Sequence, residues 1–184
     1  MEKEFLLNLI NEKFPEAVKS QSEPHGLLTI EVEVSELKNI IKWLKDEPSA
    51  NFGFLTDICA VQYPENGSRE FAVVYHLHNL IENFRLRIKT FVGRENINVP
   101  TISDIYSAAN WMERETFDFY GIIFEGHPNL KRILNLDEMD YHPMRKEYKL
   151  EDGTRTDKDD RYFGRKGNEK ITFDNKKALA RDNG

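Results

Sequence analysis

Residues 52–88 read FGFLTDICAVQYPENGSREFAVVYHLHNLIENFRLRI, and this stretch decides the fold. Residues 52–63 are apolar and rich in β-formers. Pro64-Glu65-Asn66-Gly67 then supplies an Asn-Gly turn signal. Residues 70–78 follow as a strand with Phe71, Val73, Tyr75 and Leu77 on one side. A second hairpin at 79–83 leads to Phe84, Leu86 and Ile88, which alternate with Arg85, Arg87 and Lys89. Period-two patterning of this kind buries one face and wets the other, so a three-strand meander is predicted.

Upstream, residues 2–14 place Phe5, Leu6, Leu9, Ile10 and Phe14 on one helical face, and Pro15 stops the pattern. After the Pro24-His25-Gly26 turn, residues 27–34 alternate as a strand, with Leu28, Ile30, Val32 and Val34 apolar. Ser35 is the expected N-cap of a helix to about residue 45, carrying Leu37, Ile40, Ile41 and Leu44. Downstream, Ser103 is the expected N-cap of a helix over 103–120 that ends at Gly121. A short strand at 122–124 follows. The order implies an α+β fold: a mixed, mostly antiparallel sheet with helices packed on one face. Residues 1–150 would form this domain. Residues 151–184 would form an irregular extended tail, disordered alone or laid on a partner, because 17 of its 34 positions are charged.

Composition narrows the function. The chain has 184 residues, a net charge of −6 and a mean hydropathy of −0.64. The acidic balance argues against a nucleic-acid binder. A single cysteine, Cys59, argues against a disulfide framework and against a Cys-ligated iron–sulfur or zinc cluster within the chain. The N-terminal apolar run is too short for a signal peptide, and no stretch reaches the roughly 18 apolar residues of a membrane span. A soluble protein on the cytoplasmic side is therefore expected.

Several constellations could carry chemistry. Glu113, Glu115 and Asp118 cluster on one predicted helix and suggest acid–base work in a stand-alone hydrolase. The plainer reading, an Arg114–Asp118 pair at i,i+4, prevails because no nucleophile or cofactor loop accompanies them. His76 and His78 share a strand face, but His25, His127 and His142 offer no third ligand at a telling spacing. Cys59, with no basic neighbour in sequence, reads as inert packing. Neither a GxGxxG nor a P-loop pattern is present, and Asn66-Gly67-Ser68 matches a glycosylation pattern only formally.

The informative segment is 111–148, WMERETFDFYGIIFEGHPNLKRILNLDEMDYHPMRKEY. Gly126-His127-Pro128 precedes Lys131-Arg132, and His142-Pro143 precedes Arg145-Lys146. Each His-Pro forces an extended approach and then presents an arginine on a loop, which suits a specific docking surface. Glu113-Arg114-Glu115, Asp118, Gly121, Phe124-Glu125-Gly126-His127-Pro128, Leu130, Arg132-Ile133-Leu134 and His142-Pro143-x-Arg145-Lys146 together resemble the signature of a known family. It is the C-subunit family of NADH-quinone oxidoreductase, the 30 kDa-class component of respiratory complex I. Met144 and Glu147 depart from the Leu and Asp of that pattern.

The resemblance implies a structural component with no catalytic, cofactor-binding or metal-binding residue of its own. FMN and the iron–sulfur clusters would belong to partner subunits. It implies a place in the peripheral arm beside the quinone-site D-subunit and the iron–sulfur B- and I-subunits. The complex passes electrons from NADH to quinone and translocates protons. Glu113, Arg114, Glu115, Asp118, Gly121, Gly126, His127, Pro128, Arg132, His142, Pro143, Arg145 and Lys146 would carry docking. Equivalent subunits occur in membrane-bound hydrogenases and in dehydrogenases with other electron donors.

Overall fold

The computed structural model describes residues 2–148; the expected tail lies outside the described residues. The chain begins with α1 (Lys3–Lys13), β1 (Val18–Ser22), β2 (Thr29–Val32) and α2 (Val34–Asp46). The meander follows as β3 (Phe54–Gln62), β4 (Phe71–Asn79) and β5 (Phe84–Val92). Then come β6 (Asn98–Pro100), α3 (Ala109–Tyr120) and β7 (Ile123–Glu125). The main sheet has the order β1-β2-β5-β4-β3, and β6 pairs with β7 in a small second sheet. Every pairing in the main sheet is antiparallel except β2–β5. This is the expected mostly antiparallel α+β architecture.

The core follows from the alternation. Phe71, Val73, Tyr75 and Leu77 of β4 pack with Leu86 and Ile88 of β5 and Ile30 of β2, against Leu6 and Ile10 of α1 and Leu37, Ile40, Ile41 and Leu44 of α2. These α2 residues are fully buried, each contributing about 1.5–3 kcal/mol through area removed from water. The opposite face carries His76, His78, Arg85, Arg87 and Lys89, all wholly or partly exposed.

Several local expectations are corrected. Helix α2 starts two residues earlier than predicted, at Val34, and its N-cap is Glu33 rather than Ser35. Helix α3 starts at Ala109, not near Ser103; residues 101–108 form turns, with Tyr106 donating its hydroxyl to the Phe52 carbonyl. Ser103 therefore caps no helix: its N–H bonds the Thr101 hydroxyl 3.2 Å away. Strands β1 and β6 were not expected. β1 is a polar edge strand, and β6 gains its identity only by pairing with β7 across α3.

Candidate functional site

Helix α3 buries a polar face. Glu113, Arg114, Thr116 and Asp118 are buried, whereas Trp111 and Glu115 are exposed. Glu113 is held from the N-terminal side: Ile102 N–H donates to Oε1 at 2.7 Å and the Thr101 hydroxyl donates to Oε2. Burial pushes its carboxyl up to about 7, against the lowering effect of those two donors. His127 lies beside it, with Nε2 at 4.0 Å from Glu113 Oε2. The His127 ring is fixed at both nitrogens: Nδ1 accepts from Asn129 N–H at 3.0 Å, so Nε2 carries the proton and donates to the Asn110 carbonyl, also at 3.0 Å.

Asp118 organises the other end. Its Oδ2 accepts the N–H groups of Ile133, Leu134 and Asn135 at 3.1, 2.8 and 2.9 Å. Its Oδ1 accepts Arg132 Nη1 at 2.7 Å and Asn135 Nδ2 at 3.1 Å. Burial alone would raise this carboxyl, but the backbone donors of Asn135 and Leu134, with Arg132, hold it well below the usual carboxylate range. Arg132 spans onward to the carbonyls of Met139 and Tyr141 at 2.9 and 2.8 Å. Arg114 does not pair with Asp118. It donates to the Lys131 and Arg132 carbonyls and lies over the Trp111 ring at 5.0 Å.

A helix leaves its last four carbonyls without intrahelical partners. Here every one is met from the loops. Gly121 N–H reaches Phe117 O at 2.7 Å, and Met144 N–H reaches Phe119 O at 3.2 Å. Arg132 Nη1 and His142 Nδ1 donate to Asp118 O at 3.0 and 2.9 Å. Arg145 Nε donates to Tyr120 O at 2.7 Å. Two cations at a helix C-terminus also complement its dipole. Gly121 takes φ 74°, and a Cβ there would stand 2.5 Å from both Arg145 Nη2 and His142 Nε2. Lys146 contributes its backbone N–H, at 2.6 Å from Gln62 Oε1.

The structure thus gathers nearly all the signature residues into one network around α3. Glu113, Arg114, Asp118, Arg132, His142 and Arg145 face inward and shape the segment 126–148. Gly126 takes φ 81° and admits the turn into His127-Pro128. This segment turns outward charged residues (Lys131, Asp137, Glu138, Asp140, Lys146 and Glu147) and, among them, large apolar ones: Leu134 and Leu136 are 63% and 70% exposed, and Tyr141 and Met144 are exposed as well. Sequence reasoning missed Thr101, Asn135 and Gln62 as supports. It also missed Arg94, which joins Glu70 and Glu147, each at 2.7 Å. With Glu113 and Asp118 both sealed from solvent and bonded within the chain, the hydrolase reading loses two of its three carboxylates. His76 and His78 do not act together either: Arg87 Nε donates to His76 Nε2 at 3.0 Å, and His78 Nε2 meets Asn83 Oδ1 at 3.2 Å.

Fold and network define a class: a sheet domain whose helix α3 braces a long loop segment from within. The chain belongs to the family described as respiratory-chain NADH dehydrogenase, 30 Kd subunit, which matches residues 30–154. It is 41% identical over 134 residues to the NADH-quinone oxidoreductase C-subunit of Maricaulis maris (strain MCS10), covering 73% of this chain and 66% of that one. The C-subunit of Coxiella burnetii (strain RSA 331 / Henzerling II) is 36% identical over 179 residues, with 81% and 79% covered. The chain spans about two thirds of the length of several such relatives.

Two solved structures share the fold. One is the trypsin-resistant fragment (1-134) of Nqo5, 29% identical with a TM-score of 0.60, covering 71% of this chain and 100% of that one. The other is a chain of the membrane-bound sulfane sulfur reductase, an archaeal respiratory membrane complex. It is 30% identical with a TM-score of 0.67, covering 80% and 85%. Among the described residues no helix is long and apolar enough to cross a membrane.

Proposed function

We propose that this chain is a structural component of the peripheral arm of NADH-quinone oxidoreductase, without a cofactor of its own and without activity in isolation. FMN and iron–sulfur clusters in partner subunits would carry electrons from NADH to quinone, coupled to proton translocation. The partners are the quinone-site D-subunit and the iron–sulfur B- and I-subunits. Through them the chain sits peripherally on the cytoplasmic side of the cell membrane. The observation that carries this reading is the braced segment 126–148: Arg132 and Arg145 are engaged by α3 and by the segment's own carbonyls, while Leu134 and Leu136 stand outside. Exposed leucines fixed on a rigid loop suit a partner surface.

The docking role of the signature residues is accordingly indirect for the buried ones and direct for the loop they hold. A tagged chain should co-purify the quinone-site partner. Leu134→Asp with Leu136→Asp should abolish that capture while leaving the unfolding midpoint unchanged. Capture undiminished in the folded double variant would refute the surface. A second reading, an equivalent component of a complex with another electron donor, is favoured by the likeness to the sulfane sulfur reductase chain. Co-purification of an NADH-binding flavoprotein separates the two.

A further inference from the structure

The outer face of the sheet brings His76 of β4 beside Asp57 and Cys59 of β3. β3 pairs with β4 so that Asp57 lies opposite His76 and Cys59 opposite Val74, after an irregularity in register between Leu55 and Asp57. That irregularity turns Asp57 and Cys59 to the face bearing His76, while Ile58 and Ala60 enter the core. One donor atom from each of Asp57, Cys59 and His76 lies within 4.8 Å of the other two, and His76 Nδ1 stands 3.9 Å from Asp57 Oδ2. Asp57 is exposed; Cys59 and His76 are half-buried.

We propose that Asp57, Cys59 and His76 form a three-ligand site for a borderline-soft divalent cation of the zinc class, its fourth position open to solvent. Thiolate, imidazole and carboxylate are a donor set for zinc or cobalt, and a poor one for calcium or magnesium, which take oxygen ligands. Burial and the Arg87 charge lower the His76 pKa, which keeps the imidazole neutral and able to ligate. The thiol is pushed up to about 11 by burial and by Asp57, so it is protonated when the site is vacant. Binding must therefore displace the Sγ proton to solvent, forming one metal–sulfur bond and releasing one proton. Affinity then rises about tenfold per pH unit through neutrality.

Arg87 sets the strength of the site. Its Nε–H donates to His76 Nε2, which places the ring proton on Nδ1, the nitrogen facing Asp57. A metal on Nδ1 requires that proton to move to Nε2 and Arg87 to turn away. Histidine ligands are usually supported by an acceptor at the second nitrogen, and a guanidinium is the reverse. Arg87→Gln supplies an acceptor and removes the charge, so it should tighten binding by about tenfold or more.

The test uses the full chain, Co²⁺ as an absorbing probe and Zn²⁺ in competition with a colorimetric chelator. Cys59 is the chain's single cysteine, so a thiolate-to-Co²⁺ charge-transfer band in the near ultraviolet reports that residue alone. One equivalent of metal should produce the band, and Zn²⁺ should erase it with one proton released. Asp57→Asn and His76→Gln should each weaken affinity about tenfold or more, with His78→Gln unchanged. Absence of the band, a half-equivalent endpoint from metal shared between two copies, or indifference to His76→Gln would overturn the proposal.

Discussion

Glu113 and Asp118 occupy one helix, are both fully buried, and titrate in opposite directions. Desolvation dominates at Glu113 because only two donors reach it. Its folded-state pKa of about 7 exceeds the ordinary 4.5, so the folded chain holds a proton that the unfolded chain releases. Stability should thus fall as pH rises between those values, by roughly 3 kcal/mol in all. Glu113→Gln keeps an acceptor for Ile102 and a donor for the Thr101 oxygen, and removes the titration. Thermal melts from pH 5 to 8 should show the variant gaining on the wild type as pH rises; parallel profiles would contradict this. Asp118 behaves conversely: its contribution is present above its ordinary value of 3.8 and is lost as pH falls through its depressed folded value. Asp118→Asn leaves the Arg132 guanidinium buried beside a neutral amide and should cost about 3–5 kcal/mol by urea denaturation at pH 7.

At the scale of elements, the end of α3 is the joint of the structure. Gly121→Ala should cost about 1–2 kcal/mol from its positive φ alone. The added methyl also meets Arg145 and His142, so their bonds to the helix carbonyls should loosen. Limited proteolysis should then cut 126–148 faster, whereas unchanged cleavage would mean the loop stands without its cap. Gly121 as the helix stop and the three alternating strands of the meander were legible because each is a local pattern. β1 was not: VKSQS at an edge buries almost nothing, and its identity comes from pairing with β2. The Ser103 cap signal misled because the Thr101 hydroxyl and Glu113 offer residues 101–103 better partners than a helix would. The family signature was legible as a string of residues, but its inward orientation was not. Sequence marks Arg132 and Arg145 as loop cations without saying that their acceptors, the Asp118 carboxylate and backbone carbonyls, lie in their own chain.

At the scale of the molecule, charge is sorted by place rather than by amount. The ions around α3 are internal. Arg94 instead works at the surface, tying Glu70 after the meander's first turn to Glu147 at the end of the described segment. The exposed Arg94–Glu147 pair contributes little, but Glu70 is buried, so Arg94→Ala strips a buried carboxylate of its cation and should cost about 1–3 kcal/mol. It should also speed amide exchange across 144–148, where Glu147 is one of the tethers; protection equal to wild type would assign the order to the bonds of Met144, Arg145 and Lys146 to Phe119, Tyr120 and Gln62.

The parallel pair β2–β5 has a consequence for how the protein comes into being. Ile30 pairs with Ile88, so the neighbour of β2 leaves the ribosome only after the intervening α2, β3 and β4. Until then the nascent chain carries an early hairpin and an amphipathic helix with no sheet to cover. The antiparallel meander closes through short turns and needs no such delay. Birth order and folding order therefore run against each other: the middle of the chain condenses first, and the part made earliest is kept waiting for it.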